Sequence, residues 1–211
     1  MKKYPNFISF EGIDFCGKTT QIEILLKKLS ENGIDAEMIR EPGGTIISEK
    51  IRTIILDKNH SEMVSQAEIL LYSAARTQMV HQTVLPKLDA GKFIIADRFF
   101  DSTTAYQGAG RGLDLTFVAQ LNAFATSGLI PYKTFFIDIS PKEAVDRRQK
   151  AGRDRDRLES ESIAFYDKIY QAYLQLVAKN PERFIVIPGN ATIDAVAAVV
   201  WQEMQAVWLD G

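Results

Sequence analysis

Apolar positions along this chain follow two alternating rhythms. Short continuous runs of strand length stand at 7–11, 36–40, 93–97, 134–139 and 184–188. Runs apolar on both faces fit strands buried in a parallel sheet. Between them, apolar residues return every three or four positions, as on one face of a helix. The stretch 18–32 carries Ile22, Leu25, Leu26 and Leu29, and Asn32-Gly33 stops it. A long pattern at 65–90 carries Ile69, Leu70, Tyr72, Ala75, Met79 and Val80, and Pro86 should kink or loosen its end. Ser48 is placed to cap a short helix with Ile51, Ile54 and Ile55, Asp114 to cap one through Thr126, and Pro141 to sit in the first turn of another. Two further helices are expected from Ser160 and from about Thr192. Residues 98–112 lack a long apolar period and read as loop or broken helix. Strand alternating with helix predicts an α/β fold: a five-stranded parallel sheet with helices on both faces, joined by right-handed crossovers. Functional groups should gather outside the carboxyl ends of the strands.

Composition narrows the picture. The 211 residues are 46% apolar and 25% charged, which suits one domain spanning 1–211. A net charge of −2 gives no global attraction to nucleic acid or to a membrane, so any anion site must be built locally. One cysteine, Cys16, excludes an intrachain disulfide and a multi-cysteine metal cluster. The basic start Met1-Lys2-Lys3 precedes too short an apolar run for a signal peptide, and no run reaches membrane-spanning length. The expectation is a soluble cytoplasmic protein with no membrane or nucleic-acid partner.

The strand at 7–11 leads into Gly12-Ile13-Asp14-Phe15-Cys16-Gly17-Lys18-Thr19, followed by Thr20 and the first helix. Strand, glycine loop and helix are the context that G-x-x-x-x-G-K-[ST] requires. Backbone N–H groups turned inward, with the helix N-terminus, make a phosphate cradle. Lys18 would reach the β- and γ-phosphates of a nucleotide, and Thr19 would offer its hydroxyl to Mg²⁺. Asp97 ends a buried strand, where a carboxylate can hold Mg²⁺ through water, and Arg98 follows it. The stretch 147–157 holds Arg147, Arg148, Lys150, Arg153, Arg155 and Arg157 around Gly152. It reads as a hinged lid that brings guanidinium groups onto a transferring phosphate. The plainer alternative is a solvated turn whose arginines pair with Asp154, Asp156 and Glu159. No Asn-Lys-x-Asp run is present to read guanine. Asp14, Arg40, Arg52, Tyr72, Arg76, Arg98 and Gln107 instead suit a second substrate that is planar and phosphorylated, such as a nucleoside monophosphate. Cys16, among inward-facing amides at a helix N-terminus, is either a small filler or a thiol of lowered pKa.

Four stretches together resemble the thymidylate kinases over essentially the whole chain. They are Phe10-Glu11-Gly12-Ile13-Asp14 into Gly17-Lys18-Thr19-Thr20-Gln21; Arg40-Glu41-Pro42-Gly43-Gly44-Thr45; Asp97-Arg98-Phe99 with Ser102 and Ala105-Tyr106-Gln107-Gly108; and Arg153 through Asp156-Arg157-Leu158-Glu159. The resemblance implies a three-layer P-loop NTPase fold, Mg²⁺, ATP as donor, dTMP as acceptor and a homodimer. It places Gly12, Ile13, Asp14, Phe15, Cys16, Gly17, Lys18, Thr19, Thr20 and Arg147 at ATP. It places Asp14 at the dTMP 3′-hydroxyl, Arg52 and Arg98 on the monophosphate, Arg40 in the dTMP site, and Tyr72, Arg76, Thr103 and Gln107 at the base. Tyr106 would crowd the 2′-position. Lys18, Asp97, Arg98 and Arg153 would be catalytic, with Thr19 and Asp97 at the metal. Because Phe15 and Cys16 are not arginine, the resemblance is to the lid-arginine type common in bacteria, with Arg148 an alternative to Arg153. Other small phosphate-loop kinases, or a nucleotide-switch ATPase, are the competing readings.

Overall fold

The computed structural model describes residues 2–152, 156–159 and 161–209. Five strands form one parallel sheet in the order β2-β3-β1-β4-β5: β1 (Lys2–Glu11), β2 (Ala36–Arg40), β3 (Phe93–Asp97), β4 (Leu129–Asp138) and β5 (Phe184–Pro188). Side chains of the central strands alternate between two cores. Ile8 and Phe10 of β1 join Phe93 and Ile95 of β3 on one face, while Phe7 joins Ile94 and Ala96 on the other. Helices α1 (Lys18–Glu31), α8 (Ile163–Lys179) and α9 (Ile193–Leu209) pack residues into the first core, and α3 (Ser65–Met79) and α4 (Leu85–Asp89) into the second. Register aligns Phe10 and Arg40 with Asp97, so the strand ends make one functional edge. No helix among the described residues is long and apolar enough to cross a membrane.

Where structure and pattern differ, backbone hydrogen bonding explains the difference. β1 and β4 both begin earlier than their apolar runs, because Lys2–Tyr4 pairs with Leu129–Pro131 before a register shift. Pro5 and Pro131 lie at that break, where a ladder donor is dispensable. The 65–90 pattern is α3, a π-helical turn (Val80–Val84) and α4, with Pro86 in the first turn of α4. The wide turn takes up the ladder position that a proline nitrogen cannot fill. Thr45, not Ser48, caps α2 (Ile46–Leu56): its hydroxyl accepts from the Ser48 N–H at 3.1 Å. Ser48 instead donates to the Ala75 carbonyl at 2.8 Å and ties α2 to α3. Ser162 caps α8, and Ser160 lies outside the described residues. Residues 98–112 are a broken helix, α5 (Phe100–Thr103) followed by a π-helical segment (Thr104–Gly110). As expected, Asp114 caps α6 (Leu115–Ala125) and Pro141 opens α7 (Pro141–Ala151).

Glu11, at the end of β1, is fully buried and ties three elements together. It accepts from the Phe99 N–H at 2.8 Å, the Ser102 hydroxyl at 2.6 Å and the Tyr173 hydroxyl at 2.8 Å. Burial, then the Asp101 carboxylate, pushes its pKa up to about 7 against the pull of Arg98 and these donors. An unfolded glutamate titrates near ~4.3. Between these values the native state binds more protons than the unfolded chain, so stability falls as pH rises through the window. Urea midpoints across that range should decline more steeply for wild type than for Glu11→Gln; parallel curves would contradict the assignment.

Candidate active site

The loop after β1 is a tight cradle. Gly12 has φ +142°, and a Cβ there would meet the Ile137 carbonyl oxygen at 2.7 Å and Cys16 Sγ at 2.8 Å. Phe15 (φ 64°) and Gly17 (φ 97°) turn the chain into α1 through left-handed backbone. Lys18 folds back over the loop, its Nζ donating to the Gly12 and Ile13 carbonyls at 3.1 Å each and lying 3.5 Å from Cys16 Sγ. Cys16 is buried in the first core, which favours the filler reading over a reagent-accessible thiol. Arg147, on α7, braces the outside of the loop by donating to the Cys16 carbonyl at 3.3 Å and the Gly189 carbonyl at 2.7 Å.

The sheet edge brings the acid and the arginine of β3 beside this cradle. Thr19 Oγ1 donates to Asp97 Oδ2 at 2.6 Å. Arg98 has φ 71°, unusual for a bulky residue, and its N–H is held by the Phe10 carbonyl at 3.0 Å. Its guanidinium donates to the Gly12 carbonyl at 2.8 Å, Asp14 Oδ1 at 2.6 Å, Ser102 at 3.0 Å and the Tyr106 hydroxyl at 3.1 Å. Asp14 Oδ2 accepts from Tyr106 at 2.9 Å and Tyr166 at 3.1 Å. Burial works to raise the Asp14 pKa, but Arg98, Lys18 and the two phenols outweigh it and hold the carboxyl below the usual range. Burial likewise opposes the charge on Arg98, and its partners, Tyr106 and Asp14 foremost, more than restore it. Burial, with Asp14 adding to it, pushes the Tyr106 phenol well up, so it stays a donor.

A cavity of about 460 Å³ opens from this point. On the loop side it is lined by Asp14, Phe15, Gly17, Lys18, Thr19 and Thr20. Asp97, Arg98 and Tyr106 form its middle. Arg40, Arg52, Tyr72, Arg76, Thr103 and Gln107 line it as well. Gly12, Ile13, Cys16 and Arg147 of the expected set are not among the residues lining the cavity. Arg40 is half-exposed and grips Glu49 with both carboxylate oxygens, at 3.0 and 3.1 Å. Arg52 donates to the Pro42 carbonyl at 2.9 Å. Arg76 is buried in a pair with Glu41 (2.6–2.9 Å) and also donates to Thr103 at 2.9 Å and Asn122 at 3.1 Å. Burial raises the Glu41 pKa against that pull. Burial, then Glu68, raises the Tyr72 phenol, so a neutral ring faces the space.

Arg153 lies outside the described residues. Arg148 donates to the Glu159 carbonyl at 2.8 Å with its guanidinium 5.8 Å from the Tyr166 ring centre. Several supporting residues escape pattern reading. Tyr166 and Tyr173 share the core periodicity of α8, and Glu68 looks like any polar helix residue. Glu11, Glu41 and Ser102, inside the quoted motifs, carried a signal.

A family model described as thymidylate kinase matches residues 10–200. The thymidylate kinase of Caldanaerobacter subterraneus subsp. tengcongensis is 48% identical over 194 residues, 92% of each chain. That of Geotalea uraniireducens is 43% identical over 210 residues, covering 97% of this chain and 99% of the relative. A crystal structure of thymidylate kinase from Ehrlichia chaffeensis superposes with a TM-score of 0.77 at 33% identity, covering 94% of this chain and 97% of that one. The fold, the cradle and the cavity thus come with full-length relatives of one kind, and this chain belongs to the thymidylate kinase family.

Proposed function

We propose that this chain transfers the γ-phosphoryl group of ATP to dTMP, giving dTDP and ADP. The observation that carries the reading is Arg98, whose guanidinium reaches both the phosphate loop at Gly12 and the carboxylate of Asp14 on the floor of the cavity. One arginine there can meet an acceptor phosphate beside the donor's terminal phosphate. The loop from Gly12 to Thr20 holds the donor, and Lys18 exchanges its loop carbonyls for phosphate oxygens. Arg147, bracing the loop from outside, lies on the side assigned to the nucleoside of ATP. Arg98, with Arg52 and Arg40, grips the acceptor phosphate; bidentate guanidinium–phosphate contacts are the strong ones. Asp14 takes the 3′-hydroxyl, and Tyr106, held on Asp14 and Arg98, crowds the 2′-position. Tyr72 stacks on the base, which meets Arg76, Thr103 and Gln107 at the end of the cavity.

The reacting nucleophile is a phosphate oxygen, already anionic at neutral pH, so no general base is required. Catalysis is positioning and charge stabilisation. Arg153, on the lid at 147–157, is assigned to the charge that develops on the transferring group. The Thr19 hydroxyl and the Asp97 carboxylate, 2.6 Å apart, form the hard oxygen pair that suits Mg²⁺. Bound there with ATP, the ion would neutralise charge on the nucleotide's phosphates. A homodimer is the proposed working unit, with α3 as the contact; Leu70 on α3 and Phe124 on α6 are 53% and 77% exposed.

ADP formation across a panel of monophosphates tests the reaction. dTMP should be fastest and dUMP slower but accepted, since one methyl group is worth about 1–3 kcal/mol. Stimulation by no small acceptor would overturn the reading. Arg98→Ala removes charged hydrogen bonds worth about 1.5–3 kcal/mol each, and kcat/KM should fall on the order of 10²-fold or more. Arg153→Ala should lose turnover far more than dTMP affinity; near-wild-type kcat would refute the lid assignment.

A further inference from the structure

Glu68 is a buried carboxylate on α3 outside the residues assigned above. Four donor groups on three side chains converge on it. Gln107 Nε2 donates to its Oε1 at 2.9 Å; Arg111 reaches Oε1 at 3.2 Å and Oε2 at 3.1 Å; Arg157 reaches Oε2 at 2.5 Å. Burial works to raise its pKa, but Arg111, Gln107 and Arg157 outweigh that and keep it below the ordinary value. An ionised carboxylate accepts and never donates. The Gln107 amide is therefore held with its nitrogen on Glu68. Gln107 itself is buried and lines the cavity. Its carbonyl oxygen is the amide atom left over, and no donor among the described residues takes it.

Arg76 completes the arrangement. Its Nε and Nη2 are engaged with Glu41 and Thr103, while Nη1 donates to Asn122. Nη1 carries a second hydrogen. Arg76 and Gln107 both line the cavity, so the first brings a donor to it and the second an acceptor. Thymine and uracil present the complement, the O4 acceptor beside the N3–H donor. Cytosine presents the reverse, an N4 amino donor beside an N3 acceptor. Acceptor facing acceptor leaves buried groups unpaired, which is the strong form of rejection.

We propose that Glu68 is a positioning residue for base choice: by holding the Gln107 amide nitrogen, it turns the Gln107 carbonyl oxygen to the base and so selects a thymine-type edge over cytosine. This rests on the proposed seat of the acceptor base at Arg76 and Gln107. Arg157 also takes the Ile55 carbonyl at 2.9 Å, so the chain leaving the lid is anchored on the same carboxylate that orients the base reader.

The test compares dTMP, dUMP and dCMP in wild type, Glu68→Gln, Glu68→Asp and Gln107→Leu. It measures kcat/KM for each, and Kd for each without ATP by calorimetry. A glutamine at 68 can donate to the Gln107 carbonyl and free the amide to turn. Glu68→Gln should therefore raise the dCMP:dTMP ratio of kcat/KM about tenfold or more, with the dUMP:dTMP ratio unchanged, because uracil and thymine share one edge. Glu68→Asp keeps an acceptor-only group and should keep the wild-type ratios even where kcat drops. Gln107→Leu, which leaves both arginines on Glu68, should also raise the dCMP:dTMP ratio, and it reads the effect if Glu68→Gln fails to fold. An equal loss on all three nucleotides in Glu68→Gln, or an unchanged dCMP:dTMP ratio in both variants, overturns the proposal. If wild type binds dTMP but transfers nothing, the proposed reaction fails and selectivity is still read from the Kd ratios. If wild type binds none of the three, both fail.

Discussion

The ion pair between Arg98 and Asp14 is the contact on which the site depends. It joins the turn after β3 to the loop after β1, across neighbouring strands whose register places Asp97 opposite Phe10. Arg98 holds a left-handed backbone, a conformation costing of order 1–3 kcal/mol for such a residue unless its surroundings fix it. Here they do: the Phe10 carbonyl takes its N–H, and the Gly12 carbonyl, Asp14, Ser102 and Tyr106 take its guanidinium. A buried guanidinium without these acceptors would be far more costly than the strain itself. The same contacts that make the turn tolerable aim the charge at the cavity.

Other acidic residues in and around the cavity do comparable work for other groups. Glu11 holds Ser102 and Tyr173, which in turn touch Arg98. Glu41 holds Arg76, and Glu68 holds Gln107, Arg111 and Arg157. Each carboxylate accepts from more than one donor group, so Arg76, Gln107 and, through Ser102 and Tyr173, Arg98 have their orientation set by an acidic neighbour. Pre-organisation of this kind spares a ligand the cost of ordering the groups that bind it. It also makes the site sensitive to substitutions that never touch a ligand.

The fold was largely legible in the sequence. Continuous apolar runs marked five strands, and glycine or capping residues marked most helix ends. Where local pattern and structure part, the cause is a contact distant in sequence or the ladder itself. Pro86 loosens the end of the long helix as its chemistry predicts, but hydrogen bonding sets the irregularity at Val80–Val84, one turn ahead of it. Local pattern makes Ser48 a cap, yet its hydroxyl serves a carbonyl on another helix. In the site, Lys18, Thr19, Asp97 and Arg98 announced themselves through spacing. Tyr166, Tyr173 and Glu68 did not, since a core period or a polar helix position looks the same whether or not a functional group stands opposite.

The sequence by itself determined the alternation of strand and helix, the glycine loop with its lysine and threonine, and the arginine-rich stretch at 147–157. These follow from local chemistry: periodicity, steric freedom at glycine and the order of charged residues. Only the tertiary structure decided the strand order β2-β3-β1-β4-β5, and with it which residues meet at the sheet edge. It also decided that Asp14 pairs with Arg98, 84 positions away, and that Glu68 orients Gln107, 39 positions away. Pairings between distant residues depend on which backbones the packed cores bring within hydrogen-bond reach, and no local pattern encodes that.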